Sequence, residues 1–467
     1  GFNDIFVARY DPNGELDWVR QIGGPGDDAA SAITTDAQGN CYITGGFQDD
    51  VRFSRTITLS SAGLTDAFVA KLDNSGRTVW ALRSGGPNID IGYGIALDPQ
   101  GNVLVSGGFN GTESYASEMR LHAAFRSRKG TQTGIFNGKG LKSVGGSDVF
   151  VAKYDQRSHL IWVRTFGGNK IGCPEAGYGL AVDGSGHAHV IGTFAGRVDF
   201  GNNTLFSMGI GDVFVTELDR EGRVMWARQA GAQFSEPIAG HGIAVDRAGN
   251  SFVGGAHGGP GSLAGTEFGT KPGRDILVAK FDPTGKVAWI HEGFGSDSAM
   301  AHEICADEAG RVWVSGMFKG KLKTGMGEQT SQGDSDLLVA ALDSSGKRLW
   351  TKTTGGPKID YGLGVATDGN GNAFLTGSFT GKVRFGDREL DSGAASDIFV
   401  AGLDSRGEFR WLLQATGKAT DHAYTIAHHQ GFLYLSGACS GEARFGGKIA
   451  PHRGSNDIFV ARVRIAP

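Results

Sequence analysis

Residues 66–110 read DAFVAKLDNSGRTVWALRSGGPNIDIGYGIALDPQGNVLVSGGFN, and this stretch decides the fold. It holds four short apolar segments parted by turn residues. DAFVAKL from Asp66 is rich in β-branched and aromatic side chains, and the next segment centres on Trp80. GIAL from Gly94 uses small residues, and VLVSGGF from Val103 closes the unit. Each has the length and composition of a strand. The turns Asp73–Gly76 and Asp98–Gly101 join the first two and the last two segments. In both, the Asp carboxylate accepts from N–H groups ahead of it, and Gly supplies the left-handed conformation that closes a hairpin.

The unit repeats along the chain. DAFVAKLD recurs as DIFVARYD at Asp4, DVFVAKYD at Asp148, DVFVTELD at Asp212 and DILVAKFD at Asp275, then as DLLVAALD at Asp336, DIFVAGLD at Asp397 and DIFVARVR at Asp457. Trp18, Trp80, Trp162, Trp226, Trp289, Trp350 and Trp411 mark the second segment of each copy. Four antiparallel strands per unit with no helical pattern predict an all-β fold, a seven-bladed β-propeller. Residues 1–467 then form one domain, with repeats starting near 4, 66, 148, 212, 275, 336 and 397 and a partial copy at 457. The Trp residues fill the space between sheets. Both ends fall inside a repeat, so the N- and C-terminal segments are expected to close the ring by completing one blade. That leaves one DIFVA strand in excess.

Composition narrows the partners. The 78 glycines against 12 prolines suit a chain of many tight turns, and the net charge of −4 offers no basic surface for a phosphate backbone, so nucleic acid is not expected. No apolar stretch approaches the ~20 residues that span a bilayer. Cys41, Cys173, Cys305 and Cys439 occupy non-equivalent repeat positions without metal-type spacing and read as isolated thiols.

The repeat resembles the bacterial seven-bladed β-propeller repeat (SBBP) family. The resemblance is carried by D-I-F-V-A-K-L-D, the Trp, the run GG-x-x-x-D-x-G-Y-G-I-A-x-D-x-x-G-N, V-x-V-x-G-x-F and F-G, and it covers essentially the whole chain. It implies an extracellular, cell-surface or periplasmic location more than any chemistry.

Candidate sites lie where the repeats differ. An acid recurs just ahead of the small-residue strand: Asp28, Asp90, Glu175, Asp360 and Asp421, with Glu236 and Asp297 two positions earlier in their repeats. These carboxylates are expected either to cap loops or to ring the pore mouth as a cation or polyhydroxyl site, with Ca2+ as the hard-oxygen candidate. Three positions on stand Tyr93, Tyr178, His241, His302 and Tyr424, with Glu303 and His422 nearby. His241 and His302 at equivalent positions of adjacent blades are the candidate transition-metal ligands. The second repeat is about twenty residues longer than the rest, with the insertion near 112–139. There SEMRLHAAF suggests a short helix, and Arg126, Arg128 and Lys129 make a basic loop suited to docking a partner.

No nucleophile elbow, HExxH or phosphate loop is present. The leading expectation is a non-catalytic binding or scaffold propeller, secreted or surface-exposed, which engages a protein or glycan through the face carrying the long loops. The alternatives are a metal-assisted hydrolase or lyase at the pore mouth, and a structural subunit of a larger assembly.

Overall fold

In a computed structural model, the structure describes residues 3–10, 16–110, 118–122, 141–143, 146–168, 175–209, 211–231, 239–269, 274–292, 297–324, 327–417, 420–429, 431–439, 443–445, 448–450 and 456–464. Every element among them is a β-strand. Each of the seven larger sheets among the described residues has a small-residue strand at one edge, here called the inner strand. The inner strands are Ala29–Thr35, Asp90–Leu97, Ala176–Val182, Ala239–Val245, Ser298–Ala306, Tyr361–Thr367 and Asp421–His429. Outward from Ser298–Ala306, for example, lie Val312–Lys319, then Asp336–Leu342, then the Trp strand Arg348–Thr354, all antiparallel. A sheet therefore takes its inner half from one repeat and its outer half from the next. Inner strands touch their neighbours in chain order, and Asp421–His429 also touches Ala29–Thr35.

The sheet holding both chain ends explains the surplus strand. Asn456–Arg464 takes the third position against Phe432–Cys439. Asn3–Tyr10 lies outside it, parallel over Asn3–Ile5, and carries Leu16–Ile22 on its far edge. The N-terminal copy is the displaced one.

Neighbouring sheets are held together by the tryptophans. The indole N–H of Trp162 donates to the carbonyl of Arg220 at 2.8 Å, that of Trp289 to Ser344 at 3.1 Å and that of Trp350 to Ser405 at 3.1 Å. Each acceptor lies in the Asp-x-x-Gly turn of the next repeat. The turn glycine sits beneath the ring. A Cβ on Gly222, Gly285, Gly346 or Gly407 would come within 2.4–2.8 Å of the indole, and each of these residues has φ between +74° and +83°. The turn Asp completes the unit: Asp343 Oδ1 accepts from the backbone N–H of Ser345 and Lys347. One turn departs from the rule, since Ser158 holds φ of 70° where the other repeats place Gly.

The long segment ahead of each DIFVA strand is not an irregular loop. It forms a hairpin, such as Arg197–Phe200 with Asn203–Phe206 and Gly261–Leu263 with Thr266–Phe268. Several hairpins pair with the Trp strand of the preceding sheet, as Leu263 does with Ala230 and Val198 with Gly168. They shield that exposed edge. Phe53, Phe200 and Phe385 from these hairpins are buried against Phe68, Phe214 and Phe399 at centroid separations of 5.3, 4.9 and 4.9 Å. Burying one such ring stabilises the fold by about 2 kcal/mol.

The same edge pairing overturns the helix expected in the insertion. Glu118–His122 is a strand, and Arg120, Leu121 and His122 pair with Gly85, Ser84 and Arg83. An unpaired ladder edge offers this segment more hydrogen bonds than an isolated helix of one or two turns could hold. Arg126, Arg128 and Lys129 lie outside the described residues.

The tryptophan contact makes a graded prediction for chemical denaturation. Gly369 has φ of +77° with nothing within 4 Å of its Cβ position, so Gly369→Ala should cost only the backbone penalty of about 1 kcal/mol. Gly346→Ala adds a clash with Trp289 at 2.6 Å and should cost about 3 kcal/mol. Ser158→Gly should stabilise by about 1 kcal/mol. Equal losses for the two alanine variants would contradict the role given to the indole.

Candidate functional site: the central opening

Inner strands are rich in small residues, which lets their backbones approach one another around a common space. Each also carries a β-bulge at the same register. Gly92 and Gly94 pair with Gly107 and Ser106, so Tyr93 is left out of the ladder. Ser31, Tyr178, His241, His302, Leu363 and Tyr424 are skipped in the same way. A bulge re-aims the extra side chain and ends its part in the pleat. Here it brings Ser31, Tyr93, Tyr178, His302, Leu363 and Tyr424 to the wall of a cavity of about 320 Å3. The bulge lies in the half of each inner strand nearer the link from the preceding Trp strand, on the face expected to bind.

The wall is aromatic and polar. Tyr93 and Tyr178 meet at a centroid separation of 5.1 Å, and burial, with Tyr178 close by, pushes the Tyr93 hydroxyl pKa upward. Tyr424 is 43% exposed and stacks on His422 at 6.1 Å. His302 meets Tyr361 edge-on at 6.1 Å. The carboxyl of Glu303 bridges two other inner strands, accepting from the backbone N–H of Val365 at 3.1 Å and from Thr425 Oγ1 at 3.3 Å. Burial lifts its pKa to about 8 against the pull of those two donors.

The recurring acids sit deeper. Asp28, Asp90, Glu175, Asp360 and Asp421 are each at most 1% exposed. Asp90 accepts from the backbone N–H of Gly86 at 2.7 Å and of Asn110 at 3.1 Å. Glu175 does the same with Gly168 and Ala195, Asp360 with Gly356 and Thr380, and Asp28 with Gly24 and Gln48. Asp28, Asp90, Glu175 and Asp360 clip loop to loop rather than forming an open rim. Their engaged oxygens suit capping better than the six to eight oxygen ligands a Ca2+ ion takes. Burial, with a second carboxylate close by, raises Asp90 to about 7, Glu175 to about 8 and Asp360 to about 6. The nearby carboxylates are Asp66, Asp148 and Asp336, which stand at the start of the third strands of the preceding sheets.

The two candidate metal ligands are treated unequally. His302 reaches the cavity wall, whereas the side chain of His241 lies outside the described residues, as does Glu236. Burial lowers the pKa of His422, which contacts Ser378 Oγ through Nδ1 at 2.8 Å.

Residues 17–45 and 226–256 match the SBBP family, a beta-propeller repeat. Those two segments are SBBP repeats. It is 22% identical over 451 residues to an uncharacterized WD repeat-containing protein of Acanthamoeba polyphaga mimivirus, covering 81% of this chain and 31% of that protein. It is 28% identical over 120 residues to Regulatory protein FlaEY of Caulobacter vibrioides, covering 25% of this chain and 13% of that one. The chain thus spans less than a third of the length of either relative. Solved structures similar to it include a puromycin hydrolase, at 11% identity and TM-score 0.46, covering 91% of this chain and 55% of that one. Polysaccharide lyase Uly1 is similar at 10% identity and TM-score 0.43, covering 93% and 90%.

Comparing SBBP repeats with one another shows what stood out least in the sequence. The residue after the bulge is Ala32, Gly94, Gly179, Gly242, Gly364 or Thr425 in the other inner strands, and Glu303 in one. A carboxylate at a register of small residues was the available signal, and only the cavity shows what it reaches.

The buried acids make stability depend on pH with a definite sign. Asp90 is raised from 3.8 to about 7, so folding favours its protonated form. That contribution is full below about pH 4 and is lost as pH rises through 7. Relative to Asp90→Asn, the unmodified protein should lose on the order of 3 kcal/mol between pH 4 and pH 8. Urea titrations of both proteins at several pH values check this, and a difference that stays flat or grows with pH would contradict it.

Proposed function

We propose that the sheets form seven blades closed into one ring, and that this ring is a non-catalytic binding module, secreted or surface-exposed, which takes a glycan at its central opening. The observation that carries this reading is the bulge repeated at one register of every inner strand. It spends backbone regularity in each repeat to aim one side chain at a shared space, and the side chains so aimed differ from repeat to repeat. A uniform frame with a non-uniform lining is the arrangement of a recognition site held by a rigid scaffold. Tyr93, Tyr178 and Tyr424 offer ring faces to the C–H faces of a sugar, and Ser31, Thr425, His302 and Glu303 offer hydrogen bonds to its hydroxyls. The volume of about 320 Å3 fits one or two sugar units at the lower end of ligand-pocket sizes.

A second reading has its own support. Glu303 is a carboxylic acid kept protonated up to about pH 8 beside His302, which is the protonation state a general acid needs in a hydrolase or lyase. If a metal at His241 and His302 assists it, that metal should disappear from the His241→Ala/His302→Ala double variant. Metal that persists unchanged there counts against this reading.

The binding reading is tested by calorimetry of the purified chain with oligosaccharides released from its native envelope. The unmodified protein should bind, and Tyr93→Ala/Tyr178→Ala should weaken binding at least about tenfold with an unchanged thermal midpoint. Equal affinity in the double variant, or no bound saccharide in the unmodified protein, would overturn it.

A further inference from the structure

The third sheet breaks the repeat pattern at three positions, coupled to a fourth in the adjoining sheet. In the turn between an inner strand and its neighbour, the Asp carboxylate usually splits its oxygens. Asp98 Oδ1 accepts from the backbone N–H of Gln100 and Asn102, while Oδ2 accepts from Asn102 Nδ2 at 2.8 Å and pairs with Lys153 Nζ at 2.8 Å. Asp246 likewise meets Asn250 Nδ2 at 2.7 Å and Lys280 Nζ at 3.8 Å. In the third sheet His187 replaces the Asn, and Glu217 replaces the Lys. His189 stands where the other sheets place Tyr42, Leu104, Phe252, Trp313, Phe374 and Tyr434. In the adjoining sheet Ser251 stands where the others place Cys41, Val103, Ala188, Val312, Ala373 and Leu433.

These changes converge. His189 is 0% exposed and pairs across the ladder with Glu217. Its Nδ1 lies 2.8 Å from Ser251 Oγ. Its Nε2 is buried without a hydrogen-bond partner and faces Asp183 Oδ2 at 3.7 Å, too far for a hydrogen bond. Ligand atoms of Asp183, His189 and Glu217 all lie within 4.8 Å of one another, and all three residues are buried. His187 closes the solvent side, with Nδ1 2.7 Å from Glu217 Oε1 and 3.9 Å from Asp183 Oδ2. Two carboxylates thus lack the Lys that pairs with the turn Asp in the second and fourth sheets, and a buried imidazole nitrogen lies near them.

We propose that Asp183, His187, His189 and Glu217 form a binding site for one divalent transition metal of the zinc class. Two imidazoles and two carboxylates match its preferred donors, and four protein ligands leave no open position, as in structural sites. Metal–ligand distances of about 2.0–2.2 Å ask the donor atoms to close by roughly 1 Å from their present spread. Three of the four ligands are already oriented from behind, as metal ligands are. Asp183 Oδ1 is held by the N–H of Ser185 and His187, His189 by Ser251, and Glu217 Oε2 by Trp226 Nε1 at 2.6 Å. That last bond is a diversion, because the indole N–H of Trp162, Trp289 and Trp350 goes to the next repeat's turn. The ion would tie the turn of the third sheet to that sheet's own second and third strands, beside the place where the indole contact to the fourth sheet is missing. The site lies on the Asp-Gly turn side and does not depend on the reading of the central opening.

Chelator-stripped full-length chain is titrated with Co2+ alone and then Zn2+ alone, following the visible d–d absorption of Co2+ and the thermal midpoint. One Co2+ per chain should bind in a low-symmetry, tetrahedral-type spectrum, with Zn2+ displacing it and raising the midpoint. Glu217→Lys and His189→Phe each install a residue other repeats carry at that position, so both should fold, and both should lose at least about a hundredfold in affinity. His241→Ala/His302→Ala should bind Co2+ as the unmodified chain does. No saturable Co2+ site at 100-fold molar excess, or equal binding by Glu217→Lys and His189→Phe, would overturn the proposal.

Discussion

The contact between a tryptophan and the Asp-x-x-Gly turn of the following repeat, made by Trp162, Trp226, Trp289 and Trp350, sets how neighbouring sheets stack. A flat indole needs a backbone without a Cβ beneath it, and a hairpin this tight needs a left-handed residue at that place. One glycine meets both demands. At Trp162, Trp289 and Trp350 the indole N–H also bonds the turn carbonyl, so ring, turn and hydrogen bond fix the distance and angle between neighbouring sheets. Repeating that single step brings inner strands about sixty residues apart in sequence to a common space. The hairpins laid along the Trp strands protect the outer edges that this stacking leaves open.

Strand order and inter-sheet packing were legible because they rest on residues repeated in register. DIFVA, the Trp and the Asp-Gly turns each state a local geometry, and their recurrence states the assembly. The long segments ahead of DIFVA were not legible. Val198 and Phe200 alternate as a strand does, but the segments vary in length and look like loops when read one by one. The acids were legible as a pattern and ambiguous in role. Asp90 reads the same in sequence whether its carboxylate faces a pore or two backbone N–H groups, and only burial decides between them. The bulge at Tyr93 and its equivalents leaves no mark on composition, since Gly on either side serves turns and bulges alike.

The residues that keep to the repeat hold the sheets together, and both proposed sites lie at departures from it: Glu303 at a register of small residues, and Glu217 where three other sheets place Lys71, Lys153 and Lys280. Both deviations leave the backbone pairing of their strands intact. A repeat scaffold tolerates such substitutions because each sheet contacts only its neighbours, so local cost stays local.

The account stands on the first and last inner strands sharing one opening. Pulsed electron resonance distances between spin labels at Ser31→Cys and Tyr424→Cys, in a chain lacking its native cysteines, test this directly. The ring predicts a separation like that of the same labels at Tyr93→Cys and Tyr178→Cys, which are neighbours. A separation far longer than that reference would mean an open arc, and would remove the shared opening.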